Sequence, residues 1–222
     1  MEFDFSPVAA GWPDLLRGAR ATVEVTAASL GLGCVVGLVV GLGRLEPKRR
    51  VLYAICSAYL LLIRGTPLLV QLFLLFFGLP QFGIVLPAFA CGVLGLGLYS
   101  GAYVSEIVRG SIQSIARSQT LAAKSLGMTD VQVMRNVVLP QALVRMIPPL
   151  GNEFIALIKN SALVSLLTIP DLMHEGQKII AVSYRSLEVY LAVAAVYLVL
   201  TGTTAWVLRR IEYRLSASHR LG

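Results

Sequence analysis

Long runs of apolar residues, each sufficient to cross a lipid bilayer as a helix, constrain this chain more than any other feature. A membrane-spanning helix needs about twenty such residues. We assign five runs of this length to residues 22–42, 52–77, 87–107, 150–168 and 188–208. Only 14% of the residues are charged, so a water-soluble fold of this composition is implausible. The sequence therefore predicts a single all-α membrane domain, residues 1–222, with five transmembrane helices.

Lysine and arginine are unevenly distributed between the segments that connect these runs. Three segments are rich in basic residues: Arg44, Lys48, Arg49, Arg50, Arg109, Arg117, Lys124, Arg135, Arg145, Arg209, Arg210, Arg214 and Arg220. The opposite segments carry fewer: Arg17, Arg20, Lys178 and Arg185. Because basic loops remain in the cytoplasm, we predict an external N-terminus and a cytoplasmic C-terminus. The net charge of +7 then reflects topology, and we predict no nucleic-acid partner.

The insert between the third and fourth runs, about residues 109–147, is polar enough to lie outside the membrane. Its pattern predicts a short amphipathic helix that ends at Gly127 and a second one, Asp130 to Val138, that Pro140 stops. Such a pair of short helices is typical of a docking element and is not needed in a plain connector. We therefore expect a partner to bind there.

Polar residues are few inside the apolar runs, and the charge of Arg64 is the costliest of them. Arg64 lies near the middle of the second run, followed by Gly65, Thr66 and Pro67, which break the helical hydrogen-bond ladder. Charged groups and irregular backbone at that depth face a bundle interior or an aqueous cavity. We predict that Arg64 and Thr66 line such a cavity, with Gln71 on the same helical face. The alternative is that Arg64 pairs with a carboxylate only to join two helices.

Two further stripes of polar residues recur at helical spacing and can line the same cavity. They are Tyr99, Tyr103 and Glu106 in the third run, and Asn152, Lys159 and Asn160 in the fourth, with Glu153 beside them. Glu106 precedes Arg109 by three residues, which favours a local surface ion pair.

Glu153 is the better candidate for a buried anion, although Lys159 offers it a neutralising partner. An internal cation, an anion and aromatic hydroxyls suit a small zwitterion. Its carboxylate would meet Arg64, and its ammonium would meet Glu153 or the region of Tyr103.

The sequence lacks the common active-site motifs of hydrolytic enzymes. No P-loop, HExxH or GxSxG motif occurs, which argues against an ATPase, a zinc protease or an α/β-hydrolase in this chain. The cysteines lack metal-ligand spacing, so we predict no metal site. His174 and Glu175 stand together between the last two runs and favour a solvated turn. A secondary transporter or channel is the main alternative class, but it more often shows more spans, an internal repeat or an acidic proton relay.

Several ordered motifs resemble the polar amino acid permeases of bacterial binding-protein-dependent ABC importers, the histidine/glutamine/arginine group. They are IRGTPLLVQL at 63–72, AYVSEIVRG at 102–110, Ala122-Ala123 with Gly127, Arg135, LPQA at 139–142 and KNSAL at 159–163. The resemblance runs from about Leu15 to Arg214. It implies the type I importer permease fold in the bacterial inner membrane.

The resemblance also implies partners and roles. Residues 118–140 would contain the coupling helix that seats in a cytoplasmic ABC ATPase dimer, which binds ATP and Mg²⁺, so this chain needs no cofactor of its own. The residues implied in coupling are Arg117, Leu121, Ala122, Ala123, Lys124, Gly127, Arg135 and Pro140. A second permease subunit, identical or homologous, and an extracytoplasmic amino-acid-binding protein would complete the importer.

The insert departs from the family pattern at two positions. The family has Gly at position 118 and Glu just before the two alanines, whereas this chain has Ser118 and Leu121. Two interpretations remain open at this point. Leu121 buries in an apolar notch of the ATPase, or this subunit is the weaker-coupled half of a heterodimer. The sequence also leaves open which amino acid is carried.

Overall fold

The computed structural model describes residues 3–219, with side chains to residue 214, and the regular elements in this part of the chain are all helices. Arg220, counted above among the cytoplasmic charges, lies outside it. The helices are α1 Ser6–Ala10, α2 Trp12–Gly43, α3 Arg50–Gly65, α4 Leu68–Phe73, α5 Ala88–Gln113, α6 Arg117–Ser125, α7 Asp130–Val133, α8 Leu139–Asn160, α9 Leu172–Ser183 and α10 Ser186–His219. The predicted all-α membrane fold is thereby confirmed.

Candidate spans match the predicted runs in order but differ in their ends. Four segments in the described residues are long and apolar enough to cross a membrane: Trp12–Gly43, Ala88–Gln113, Asp130–Leu167 and Ser186–Arg214. A fifth span requires a bent pair, Arg50–Gly65 with Leu68–Phe82. The observed helices exceed the apolar runs because polar residues at a helix end do not interrupt its hydrogen bonds.

The second span, 52–77, was predicted with a break in its helical hydrogen bonds at Gly65 to Pro67, and the structure has this break. Its two arms meet at an angle of 104°. Thr66, at the end of α3, is extended with φ −121° and ψ 145°. The residue before a proline is disfavoured in the helical region, and Pro67 supplies no N–H group. The chain therefore turns immediately after Gly65.

Pro140 was predicted to end the preceding helix, and this is wrong, because the helix that contains the predicted fourth span, 150–168, begins well before residue 150. A π-helical turn, Met134–Val138, leads directly from α7 into α8, and Pro140 lies in the first turn of α8. The π-turn shifts the backbone hydrogen bonds just before Pro140, which lets the helix continue past a residue that has no N–H group. Pro148 and Pro149 also lie within α8. The helices α5 and α8 therefore both extend into the predicted insert, 109–147.

The predicted solvated turn at His174 and Glu175 is also wrong. Both residues lie in α9, and Glu175 is buried and pairs with Lys178 at 2.8 Å.

The interface between α2 and α5 runs along most of both helices. A Cβ atom on Gly37 would lie 2.5 Å from Cγ1 of Val104, and one on Gly41 would lie 2.8 Å from the carbonyl oxygen of Ser105. Side chains of any size at these positions would separate the backbones. In a membrane, close packing of this kind drives helix association because lipid tails are as apolar as leucine.

An ionic network joins α2 and α5 at the end where α2 stops. The Glu106 carboxylate accepts from Arg109 at 2.6 Å and from Arg44, which lies just after α2. The guanidinium of Arg44 also donates to the Ser57 hydroxyl of α3 at 3.3 Å. The predicted pair of Glu106 with Arg109 is therefore confirmed, and Arg44 extends it across three helices.

We expect Gly37→Ala to destabilise the protein by about 1–3 kcal/mol, because the added Cβ overpacks the α2–α5 interface. Gly31→Ala is the matched control, since its Cβ would meet nothing within 4 Å. Alanine favours a helix over glycine by about 1 kcal/mol, so the control should be neutral or stabilising. Thermal unfolding in detergent measures both; equal melting temperatures would contradict the close-packed interface.

We expect Glu106→Gln to reduce stability by about 1 kcal/mol, because two partly buried guanidinium groups lose their shared anion. The difference from wild type should shrink in high salt, which screens the repulsion that remains. Glu46→Gln removes an exposed pair with Arg49 and should cost little. Unfolding at low and high salt provides the test, and a salt-independent loss would argue for a packing effect.

Candidate functional site

A cavity of about 490 Å³ opens beside the bend between α3 and α4. Its lining residues are Arg44, Leu60, Leu61, Arg64, Gly65 and Glu106. Arg64 lies in the last turn of α3 and is exposed to this space. The bend at Thr66 ends the helix there, which places the guanidinium beside irregular backbone.

Arg64 connects to a chain of aromatic hydroxyls on α5. Its guanidinium carbon lies 5.5 Å from the ring centroid of Tyr103, within cation–π range. The hydroxyls of Tyr103 and Tyr99 are 3.1 Å apart. Tyr99 in turn lies within electrostatic reach of both Arg64 and Glu153. A basic and an acidic side chain therefore both lie within electrostatic reach of the tyrosine pair.

Glu153 is partly buried on α8 and faces the Ser100 hydroxyl of α5. Lys159, the alternative partner from the sequence, is exposed and makes no ion pair with Glu153. The reason is helical geometry, because six residues separate the two positions and place them on different faces of α8. Glu153 therefore has its nearest polar neighbours on α5 and not along α8.

Gln71 does not share a helical face with Arg64, because the bend lies between them. Its amide nitrogen instead donates to the carbonyl oxygens of Ile63, at 2.7 Å, and Thr66, at 3.1 Å. Thr66 uses its own hydroxyl on the Leu62 carbonyl at 2.8 Å. Both side chains therefore satisfy backbone groups freed at the end of α3. Their role is to hold the bend that positions Arg64.

Asn152 and Asn160 complete the predicted stripe on α8, with Asn152 exposed and Asn160 partly buried. Two residues of the site were missed: Arg44, predicted only as a cytoplasmic charge, and Ser100, in a small-residue stretch. The spacing of Ser100 from Tyr103 gives a weak indication, since three residues separate neighbours on a helix.

The insert forms a compact element on the end of α5 and α8. Ala123 of α6 is buried in a cluster with Val133, Val138 and Ile112. Lys124 pairs with Asp130 at 2.6 Å across the turn. Between them Gly127 has φ 79°, the left-handed conformation that glycine adopts readily just after a helix, which agrees with the predicted helix end there.

The opposite side of the insert is open. Leu121 is 55% exposed and Leu126 is 80% exposed, which is unusual for leucines on a segment rich in polar residues. The other predicted coupling residues on this surface are also exposed: Arg117, Ala122, Lys124, Arg135 and Pro140. A buried anchor and an exposed apolar tip are suited to docking.

Known proteins resemble this chain in sequence and in fold. The glutamine transport system permease protein GlnP of Escherichia coli (strain K12) is 36% identical over 217 residues, covering 97% of this chain and 99% of the relative. The L-cystine transport system permease protein TcyB of Bacillus subtilis (strain 168) is 38% identical over 205 residues, covering 92% and 87%.

A solved chain described as an amino acid ABC transporter with histidines has a TM-score of 0.91 at 41% identity, covering 96% of this chain and 100% of that one. This likeness confirms the predicted type I importer permease fold. The family model for a binding-protein-dependent transport system inner membrane component matches residues 33–217. This chain therefore belongs to that family, as a multi-pass permease of the bacterial inner membrane.

Proposed function

We propose that this chain imports a polar amino acid by alternating access, with the cavity beside Arg64 as part of its pathway. A substrate-loaded binding protein delivers the amino acid from outside, and a cytoplasmic ABC ATPase pair drives the cycle. ATP and Mg²⁺ belong to the ATPase, and this chain needs no cofactor. The glutamine and cystine permeases among its relatives support an amino-acid substrate.

The observation that carries the proposal is the seam of Arg64, Tyr103, Tyr99 and Glu153. An amino acid carries a carboxylate and an ammonium on one carbon, and the seam presents one charge of each sign. The fork of Arg64 binds the carboxylate in two hydrogen bonds. Glu153 accepts from the ammonium, while the tyrosine hydroxyls lie between. Asn152, Lys159 and Asn160 lie on the same helix as Glu153 and are further polar residues of the proposed pathway.

A second permease subunit closes this pathway in our proposal. Arg64 is exposed in the single chain, and so are its α3 neighbours Leu61, at 75%, and Leu62, at 65%. A charge on a lipid-facing surface would cost several kcal/mol. A partner subunit packed against α3 removes Arg64 from lipid, and a pseudo-twofold pair would do this for both copies.

The insert is the surface that receives the ATPase. Its membrane-facing side is anchored through Ala123, and its tip presents Leu121 with Arg117 and Arg135 nearby in sequence. This arrangement favours the apolar-notch interpretation of Leu121. The orientation follows the positive-inside prediction, which places the insert, the α2–α3 linker and the C-terminus in the cytoplasm and the N-terminus outside.

Arg64→Ala should reduce uptake about a hundredfold, which corresponds to the loss of roughly 3 kcal/mol from charge-assisted hydrogen bonds. The assembled importer in proteoliposomes, supplied with its binding protein and a mixture of labelled amino acids, provides the measurement. Leu198→Ala is the control, since it truncates an exposed residue of α10 that neither lines the cavity nor belongs to α3. Full uptake by the Arg64 variant would remove this residue from the pathway. A wild-type complex without ATP-dependent uptake would instead refute the importer.

Gly127→Ala should uncouple ATP hydrolysis from uptake, because a positive φ costs an L-residue about 1–2 kcal/mol and displaces the turn between the insert helices. Steric contact is not the cause, since a Cβ at Gly127 would meet nothing within 4 Å. Gly110→Ala is equally unobstructed and lacks the positive φ, so it should couple normally. The ratio of ATP hydrolysed to amino acid imported distinguishes the two. Normal coupling in the Gly127 variant would disprove the role of the turn.

A further inference from the structure

Four elements meet at a buried carboxyl group near the opposite end of the helices from the insert. Asp171 is fully buried and caps α9, where its Oδ1 accepts from the backbone N–H of His174 at 3.0 Å. The Tyr197 hydroxyl of α10 lies 3.5 Å from Oδ2. The next residue, Leu172, donates its backbone N–H to the Thr22 hydroxyl of α2 at 3.1 Å. We call Asp171, Leu172, Thr22 and Tyr197 the outer junction.

The outer junction is packed too tightly to admit water without moving. A Cβ atom on Gly18 of α2 would lie 2.8 Å from the carbonyl oxygen of Asp171. Thr22 and Ser161 are fully buried. Immediately before it, Thr168 has a φ of 64°, so the backbone that leads out of the 3₁₀ turn Ser161–Leu167 is strained.

The groups that face Asp171 are mostly neutral. From α9 come the backbone of Met173 and His174, whose ring lies 3.3 Å from the Ser165 carbonyl oxygen. Tyr197 contacts Asp171 from α10, and Thr22 of α2 contacts the adjacent residue, Leu172. The nearest charged neighbours in sequence, Glu175 and Lys178, pair with each other. A buried, ionised carboxylate in such surroundings costs free energy. That cost is removed when the carboxylate binds a proton or when the junction opens and water solvates the charge.

We infer that Asp171 is a positioning residue of the outer end, holding the junction closed when protonated and releasing it when ionised. This inference rests on the proposed function, because external protons reach Asp171 only in the proposed orientation. Transport needs the outer ends of α2, α9 and α10 to separate. Ionised Asp171 favours that separation because water then solvates its charge.

The direction of the pH effect follows from linkage. Burial raises the pKa of Asp171 from 3.8 to about 6, while hydrogen bonds from His174 and Met173 partly oppose the rise. The closed junction therefore binds a proton that the opened one releases. Protonation of Asp171 therefore stabilises the closed junction below about pH 6, and this stabilisation is lost as the pH rises above 6. Closing is favoured about tenfold more at pH 5 than at pH 7.5.

Hydrogen–deuterium exchange of the assembled importer in nanodiscs measures this opening without knowledge of the substrate. After correction for intrinsic exchange rates, wild-type amides of Leu172 and His174 should be about tenfold more protected at pH 5 than at pH 7.5. Asp171→Asn retains an oxygen for the cap but cannot ionise, so its protection should be high and independent of pH. A wild-type slope retained in this variant would overturn the inference.

Two further variants separate a titrating role from a structural one. Tyr197→Phe removes a hydrogen bond that lowers the pKa of Asp171, so the midpoint should move to higher pH; an unmoved midpoint contradicts the inference even if Asp171→Asn fails to fold. His174→Gln and Glu175→Gln should keep the wild-type slope. Loss of the slope in His174→Gln would assign the titration to the histidine.

Because hydrogen–deuterium exchange is measured on this chain directly, failure of uptake by the wild-type importer bears only on the proposed function.

Discussion

The close approach of α2 and α5 is the contact on which the other positions depend. Gly37 and Gly41 let two backbones meet where side chains would hold them apart, so the pair acts as a rigid core. Both functional ends are built on it. Arg44 and Glu106 lie at one end of the pair, while Gly18 and Thr22 carry the outer junction at the other. The small residues at this interface are important because they allow the two helix backbones to approach closely. Their own side-chain contacts contribute less.

The bend after α3 turns an ordinary span into part of a site. A straight helix would bury Arg64 in lipid and align Gln71 with it. Pro67 instead ends the helix, Gln71 and Thr66 satisfy the freed carbonyl groups, and Arg64 is presented to the cavity and to Tyr103. The cost of irregular backbone in a membrane is thus offset by hydrogen bonds from neighbouring side chains.

Sequence reasoning predicted the order of the spans, the Glu106–Arg109 pair and the end of the insert's first helix at Gly127, because each depends on local spacing or length. It failed where a long-range contact decided the outcome. Pro140 lies at a position where proline is harmless, which only the preceding π-turn determines. Glu175 is buried because α9 folds back onto α2, and Arg44 reaches Glu106 only because α2 ends beside α5. Asp171 gave no sign of its importance, since an acidic residue before a helix is commonplace.

The continuity of the segment from Asp130 to Leu167 has a thermodynamic consequence. Its 38 residues form a nearly unbroken helical rod of about 55 Å at 1.5 Å per residue, which joins the insert to the outer junction. Coupling between two sites is reciprocal. If protons outside bias the ATPase cycle through this rod, then nucleotide binding inside must change the proton affinity of Asp171. Each ATP turnover would then be accompanied by transient proton release and uptake at the outer surface, with no net proton crossing the membrane.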